Sequence, residues 1–266
     1  MNKLTDKRFA IIGAGNIGRI LLNRLLACGA PAENLVVCDS DTERARAMAG
    51  QYGVRPISLN DETAWSADVI LVAVSPKAVL ELVQSLSSKL HPGQIVVSFA
   101  AAIPLARLEE LVPAGVQVAR VMPNAPSLVG QGMNPVAYGA SITPEGRELM
   151  QAVLACLGEF IEVGDALMNW CVGLSGAAMR SLLPTLEGMA QAGMEAGLPA
   201  ADARRIAAQV MLGTAVLALQ TDLSFEEIKA LTPMQTMDEA VLANLFLEAA
   251  RAARGKIEEL EIKLRK

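Results

Sequence analysis

Four apolar residues, Phe9 to Ile12, run directly into Gly13-Ala14-Gly15-Asn16-Ile17-Gly18, and Ile20, Leu21, Leu22, Leu25 and Leu26 follow at helical spacing. The pattern predicts a buried strand, a tight glycine turn and the first turn of a helix. Each glycine has a physical reason. Gly13 permits the bend, Gly15 lets the backbone approach a pyrophosphate, and Gly18 lets helix and strand pack closely. Asn16 and Ile17 then open a helix whose unbonded N–H groups face the phosphates. Three glycines alone are a weak signal, but the strand–turn–helix context makes this a candidate dinucleotide elbow.

The next segments repeat the alternation. Leu35–Cys38, Asp68–Val74, Gln94–Ser98 and Val116–Met122 read as strands; Glu43–Tyr52, Lys77–Lys89 and Leu105–Leu111 read as helices. This order predicts a doubly wound, mostly parallel sheet of the Rossmann type. Val136–Tyr138 and Phe160–Val163 read as edge strands around a helix at Pro144–Leu157. Beyond Asp165 no strand is expected. Helices are expected at Leu174–Ala196, Ala200–Leu219, Phe225–Leu231 and from Asp238 onward. The expected fold is therefore α/β over 1–164, a dinucleotide-binding domain, followed by an all-α domain over 165–266. The first of these helices is apolar on most faces and needs burial on several sides. That points to a homodimer formed through the helical half. The tail from Lys256 reads as a solvated helix end.

Hydrophobic residues make up 52% of the 266 and charged residues 19%, which excludes a largely disordered chain. With only 3% aromatic residues the core must be aliphatic. A net charge of −5 and no basic patch argue against a nucleic-acid partner. No apolar run reaches the roughly 20 residues of a membrane span. The apolar stretch after Lys3, Lys7 and Arg8 ends in the glycine turn, so it reads as a strand and not as a leader. Cys28, Cys38, Cys156 and Cys171 have no metal-ligand spacing and read as small buried hydrophobes of a reduced, cytoplasmic protein. His91, the only histidine, reads as a surface turn residue, which leaves no Ser–His–Asp triad and no metal cluster.

Candidate site residues lie at the expected strand ends. Asp39 closes the second strand, where an acidic residue bonds adenosine ribose hydroxyls and repels a 2′-phosphate, favouring NADH. Ser40, Thr42, Arg44 and Arg46 leave a phosphate possible, and capping of the next helix by Asp39 or Ser40 is the plain alternative. Val74, Ser75, Pro76 and Lys77 end the third long strand, where a nicotinamide ribose would pass. Ala100 and Ala102 follow the next strand, and their small side chains permit close approach. Arg120-Val121-Met122-Pro123-Asn124-Ala125-Pro126 holds a polar Asn124 rigidly between two prolines. Ser175 and Gly176, at the start of the long helix, offer N–H groups for a carboxylate.

With these motifs on hand, the chain resembles the pyrroline-5-carboxylate reductase family over nearly its full length. The resemblance rests on Gly13–Gly18, Val72-Ala73-Val74-Ser75-Pro76-Lys77, Arg120–Pro126 with Leu128–Gly132, Leu174-Ser175-Gly176 and Ala192–Pro199. It implies a Rossmann domain, a helical domain that interlocks in dimers (rings of dimers in some members), and NAD(P)H reduction of a cyclic imine to proline. The departures fall in the substrate half. The family's serine–glycine–serine–glycine–proline–alanine–tyrosine is here Ser175-Gly176-Ala177-Ala178-Met179-Arg180-Ser181. Its serine–proline–glycine–glycine–threonine–threonine loop is Thr232-Pro233-Met234-Gln235-Thr236-Met237, and its lysine before proline is Ser75. Thr232 and Thr236 remain as donors toward a substrate carboxylate and the imine. Asp222 can orient a protonating water, and Arg180 can clamp the carboxylate or pair with Glu187 or Glu195. Two alternatives stay open: a non-catalytic NAD(P)-binding paralogue, and another imine or β-hydroxyacid-type oxidoreductase. The second lacks support from Met168–Gly197, which has no lysine, aspartate or tyrosine.

Overall fold

The computed structural model describes residues 3–61 and 65–264. Its core is an eight-stranded sheet in the order β3-β2-β1-β4-β5-β6-β7-β8. The strands are β1 Phe9–Ile12, β2 Leu35–Cys38, β3 Arg55–Pro56, β4 Val69–Val72, β5 Ile95–Ser98, β6 Gln117–Val121, β7 Gly132–Tyr138 and β8 Gly158–Glu162. All neighbours pair in parallel except β6 and β7, which run antiparallel with Arg120 opposite Ala137. The chain winds outward from β1 to β3, then crosses back to β4 beside β1. The strand order therefore reverses between β1 and β4, where open α/β sheets bind ligands.

Alternation within the strands builds two apolar layers. Phe9, Ile11, Leu35, Val37, Leu71 and Val97 face one side, under Leu21, Leu22 and Leu25 of α1 (Asn16–Ala27) and Leu149, Met150 and Val153 of α5 (Pro144–Leu157). Ala10, Ile12, Val36, Ile70, Val72 and Val118 face the other, under Val79, Leu82 and Val83 of α3 (Pro76–Leu86) and Leu108 of α4 (Leu105–Glu109). Both faces are covered, so the central strands read as continuous apolar runs. Each fully buried leucine contributes about 1.5–3 kcal/mol. The helix α2 (Thr42–Tyr52) is capped by Asp41, whose Oδ1 accepts from the N–H of Arg44 at 3.1 Å. Neither Asp39 nor Ser40 is the cap.

Two strands differ from expectation. The edge strand β3 is exposed and two residues long, one of them Pro56. That is too short for periodicity to register. The strand β7 starts at Gly132, four residues before the expected Val136, and lies between β6 and β8 instead of at an edge, because Gly132–Pro135 pair with Gly158–Ile161 of β8. Gly-Met-Asn-Pro reads locally as a turn, and only the partner strand makes it extended.

The remaining helices are α6 Met168–Cys171, α7 Ala178–Glu195, α8 Ala200–Gln220, α9 Phe225–Ala230 and α10 Glu239–Leu264. The chain divides into one compact unit of Met1–Gly176 with Ala252–Lys266 and a second of Ala177–Arg251. The strand pattern places the division earlier, at Gly164. The segment after Gly164 stays with the sheet because Met168 is fully buried in the second apolar layer. The end of α10, expected as a solvated face, also packs there. Leu264 lies against that layer and the Arg254 guanidinium sits 4.6 Å from the centre of the Trp170 ring. In the second unit α7 and α8 approach closely; a Cβ on Gly193 would stand 3.0 Å from that of Ala203. Val210, Leu212, Leu219 and Leu245 are exposed there. No helix among the described residues is long and apolar enough to cross a membrane.

Candidate active site

The glycine turn has the geometry its sequence implies. Gly13 has φ 110°, and a Cβ there would meet the Ala73 carbonyl oxygen at 2.5 Å. A Cβ on Gly18 would lie 1.9 Å from the Gly13 oxygen, so only glycine lets α1 sit this close to β1. Gly15 differs: nothing lies within 4 Å of its would-be Cβ. The turn leaves open space at the one glycine beside which a phosphate would lie. Gly15 is also the N-cap of α1, with no side-chain cap and no acidic residue in the first turn. The N–H groups of the first turn, which Asn16 and Ile17 open, are left for an anion. These residues fit a dinucleotide pyrophosphate.

A cleft of ≈ 570 Å³ adjoins the turn, lined by Gly13, Gly15, Asp39, Ser40, Val74 and Ser75 among the expected residues. Asp39 does more than border it. Its Oδ2 accepts from the Ala14 N–H at 2.6 Å, and Oδ1 accepts from the Asp41 N–H at 2.9 Å. The carboxylate thus holds the glycine turn against the end of β2 as well as lining the cleft. The Arg44 guanidinium lies 3.9 Å from Asp39 and 3.4 Å from Asp41. Burial, with the Asp39 charge beside it, pushes the Cys38 thiol up from its usual 9.0 to about 11. Leu59, Glu81 and Ser85 also line the cleft and escaped the sequence reading. Glu81 and Ser85 recur four apart on α3, a helical-face signal that the amphipathic pattern did contain.

The other strand ends carry the remaining expected residues. Ser75 is the N-cap of α3, Pro76 opens it, and Lys77 is exposed. Ala100 is buried and its N–H bonds Ser98 Oγ at 3.3 Å. Ala102 is buried with φ 65°, the sole non-glycine in the left-handed region among the described residues. Met122 is buried, and its N–H donates to the Pro135 carbonyl at 3.0 Å. Pro123 is half-buried. Asn124 clamps the loop: Oδ1 accepts from the Met133 N–H at 3.1 Å and Nδ2 donates to the Ser175 carbonyl at 3.3 Å. One amide proton and one lone pair of Asn124 are left for a ligand.

Ser175 and Gly176 require a correction. They do not open a helix. A π-helical turn, Val172–Ala177, joins α6 to α7 without a break. The N–H groups there are inside a helix instead of at its terminus. The Ser175 hydroxyl is buried and donates to the Cys171 carbonyl at 2.7 Å. Gly176 leaves open space where a Cβ would stand. In the second unit, Arg180 (α7), Asp222 (after α8), Thr232 and Thr236 (between α9 and α10) are all exposed. Their side chains form no hydrogen bond or ion pair among the described residues, and Arg180 pairs with neither Glu187 nor Glu195. The described residues include no cluster of three metal-ligating side chains.

Comparison with known proteins agrees with this layout. Residues 8–102 match the family model described as NADP oxidoreductase, coenzyme F420-dependent, and residues 165–260 match that for pyrroline-5-carboxylate reductase dimerisation. The pyrroline-5-carboxylate reductase of Corynebacterium melassecola is 31% identical over 263 residues, 94% of this chain and 97% of that protein. That of Escherichia coli is 31% identical over 217 residues, 81% of each. Among solved structures, a pyrroline-5-carboxylate reductase from Coxiella burnetii superposes with TM-score 0.81 at 24% identity, over 96% of this chain and 98% of that one. Plasmodium falciparum pyrroline carboxylate reductase with NADP bound gives 0.84 at 19%, over 97% and 99%. The two structures share the fold. The sequence identity over nearly the whole length decides the family, and this chain belongs to the pyrroline-5-carboxylate reductases.

Proposed function

We propose that this chain reduces a cyclic imino acid with NAD(P)H, taking pyrroline-5-carboxylate to proline. The observation that carries the reading is the open space at Gly15, before an uncapped helix and at the sheet's switch point, in a chain of this family. A bound reduced nicotinamide supplies the hydride. The chain's residues hold, orient and exclude water. Gly13 to Gly18 grip the pyrophosphate. Ser75, Pro76, Lys77, Ala100, Ala102, Met122 and Pro123 border the path to the nicotinamide end. A protonated cyclic imine is already electrophilic, so placing its carbon about 3–3.5 Å from the hydride donor supplies much of the catalysis. In this reading Arg180, Thr232 and Asn124 are the groups for the carboxylate. Thr236 and Asp222 serve the imine nitrogen, Asp222 through a water.

NADH is the preferred cofactor in this reading. Asp39 and Glu81 put two carboxylates on the cleft, and the charge of Arg44 is already met by Asp39 and Asp41. A 2′-phosphate would gain little there and meet repulsion. The exposed apolar residues of α8 and α10, with the dimerisation match over 165–260, support a homodimer through the helical half and leave room for a ring of dimers. Buried thiols suit a reducing cytoplasm. The altered Thr232–Met237 loop and the unpaired Arg180 favour one second reading, a nucleotide-binding paralogue without turnover. Mixing the protein with pyrroline-5-carboxylate and each reduced nucleotide decides. Loss of absorbance of the reduced nicotinamide supports the reductase; tight NADH binding without oxidation of either nucleotide supports the paralogue.

A further inference from the structure

Arg120 lies near the end of β6, and its side chain is 2% exposed. The proposed reduction gives it no task. Its Nη1 bonds Asp165 Oδ1 at 2.9 Å, and Nη2 donates to Asn169 Oδ1 at 3.2 Å. Asp165 Oδ2 accepts from the backbone N–H of Leu105, the first residue of α4, at 2.9 Å. Asn169 in turn donates through Nδ2 to Glu261 Oε2 on α10 at 3.0 Å. One buried guanidinium therefore joins three places: the loop after β5, the segment entering the π turn, and the last turns of α10. All of these residues belong to the first compact unit.

Stability is a poor reason for this arrangement. Burying a guanidinium carries a desolvation penalty, and a well-packed apolar side chain often serves a core as well or better. What the guanidinium adds is fixed geometry, because its planar fork sets two bonds at once. The parts it fixes border the expected nicotinamide path. Ala102 holds a left-handed φ three residues before Leu105. Such strain persists only where the surroundings over-determine it. Met122, Pro123 and Asn124 begin two residues after Arg120.

We propose that Arg120 is a positioning residue: through Asp165, Asn169 and Glu261 it sets the spacing between the loops after β5 and β6 that receive the nicotinamide ring, and makes the end of α10 part of the reductase site. The proposal rests on the reading of those loops as the nicotinamide end. It predicts a split between the two halves of the cofactor. In Arg120→Met, the Kd for ADP-ribose, which lacks the nicotinamide, stays within about twofold of wild type. The fluorescence change of NADH on binding is lost, and kcat falls by about 100-fold, the scale of an ångström-level misplacement. Arg120→Lys, which keeps the charge toward Asp165 and loses the second arm, is intermediate. Glu261→Ala weakens kcat in the same sense, Glu261→Gln restores it, and adding Glu261→Ala to Arg120→Met costs nothing further.

Unchanged NADH fluorescence and kcat in Arg120→Met overturn the proposal, as does a parallel loss of ADP-ribose binding and turnover. If Arg120→Met does not fold, Asn169→Ala and Glu261→Ala carry the same test, with unchanged fluorescence and kcat in both overturning it. If the wild type binds NADH without turnover, the reductase reading fails, while the ADP-ribose and fluorescence arms still decide the positioning role.

Discussion

The Asp39 carboxylate accepts a 2.6 Å hydrogen bond from the backbone N–H of Ala14, 25 residues before it in the chain. The acidic residue at the end of β2 is thus also a strut for the glycine turn. Its charge lines the cleft while its oxygens hold the glycine turn to the end of β2. Replacing it alters both functions together. Asp39→Ala removes charge-assisted bonds each worth about 1.5–3 kcal/mol. The expected result by calorimetry is NADH binding weaker by about 10- to 100-fold. The ratio of kcat/KM for NADPH over NADH rises, because the charge that repels a 2′-phosphate is gone.

Gly15 and Gly18 are expected to respond differently to the same substitution. Gly18→Ala drives a methyl into the Gly13 carbonyl and lowers stability by about 1–3 kcal/mol, read as a drop in thermal midpoint. Gly15→Ala meets open space, so its melting temperature stays at the wild-type value. Its affinity for NADH falls, since the methyl occupies the space meant for the phosphates. A drop in midpoint for Gly15→Ala with nucleotide affinity intact would show that the open space serves no ligand.

Arg180 is exposed and unpaired on α7, which leaves its guanidinium available for a carboxylate. Arg180→Met is expected to raise KM for pyrroline-5-carboxylate by about 10- to 100-fold, the loss of one charge-assisted contact. The Kd for NADH stays unchanged. Steady-state kinetics over a substrate series, beside direct nucleotide binding, separates the two. An unchanged KM removes Arg180 from the substrate site.

Cys38 gives a pH dependence whose sign is fixed. Its folded-state value of about 11 exceeds the usual 9.0, so the folded chain holds the proton where the unfolded chain has lost it. Stability from this group is complete below about 9 and is lost as pH rises through about 11. Thermal midpoints between about pH 8 and 11 are expected to fall, and Cys38→Ala is expected to flatten part of that fall. Tyr138, pushed up to about 12 by burial, and Cys156 and Cys171, raised by burial, add to the fall in the same direction. At about pH 8 Cys38 is expected to resist iodoacetamide, which attacks the thiolate.

The apolar surface of the helical half tests the dimer. Val210 and Leu212 are 50% and 56% exposed on α8. Exposed large apolar side chains on a segment that matches the dimerisation model point to an interface. Val210→Glu is expected to shift sedimentation of the protein toward the monomer, whereas Arg204→Glu, a change of sign near the start of the same helix, leaves the dimer in place. Equal sedimentation of Val210→Glu and wild type would move the interface elsewhere.

The glycine elbow, the alternation of strands and helices and the all-helical second half were legible in the sequence. The signal in each is local: apolar spacing of two or 3.6, and glycines whose missing Cβ permits one backbone path. Pro144–Leu157 was bounded correctly because a threonine N-cap, a proline at the first helical position and Gly158 mark its ends. Other features carried no local mark. Gly132–Pro135 is extended only because β8 pairs with it, and Ser175 lies in a π turn only because a helix already precedes it. The Glu81 side of the cleft was present in the helical spacing but needed the cleft itself to give it meaning.

The amino-acid order by itself determined most of the strands and helices, where the glycine turn must bend, and that a helix end with unbonded N–H groups follows it. Tertiary structure alone decided that Asp39 turns back onto Ala14, that Arg120 reaches Asp165 and Asn169, and that Asn169 meets Glu261 at the end of α10. These pairs are 25 to 92 residues apart in the chain. Their geometry depends on how layers stack and where strands cross back, and no short-range periodicity encodes that.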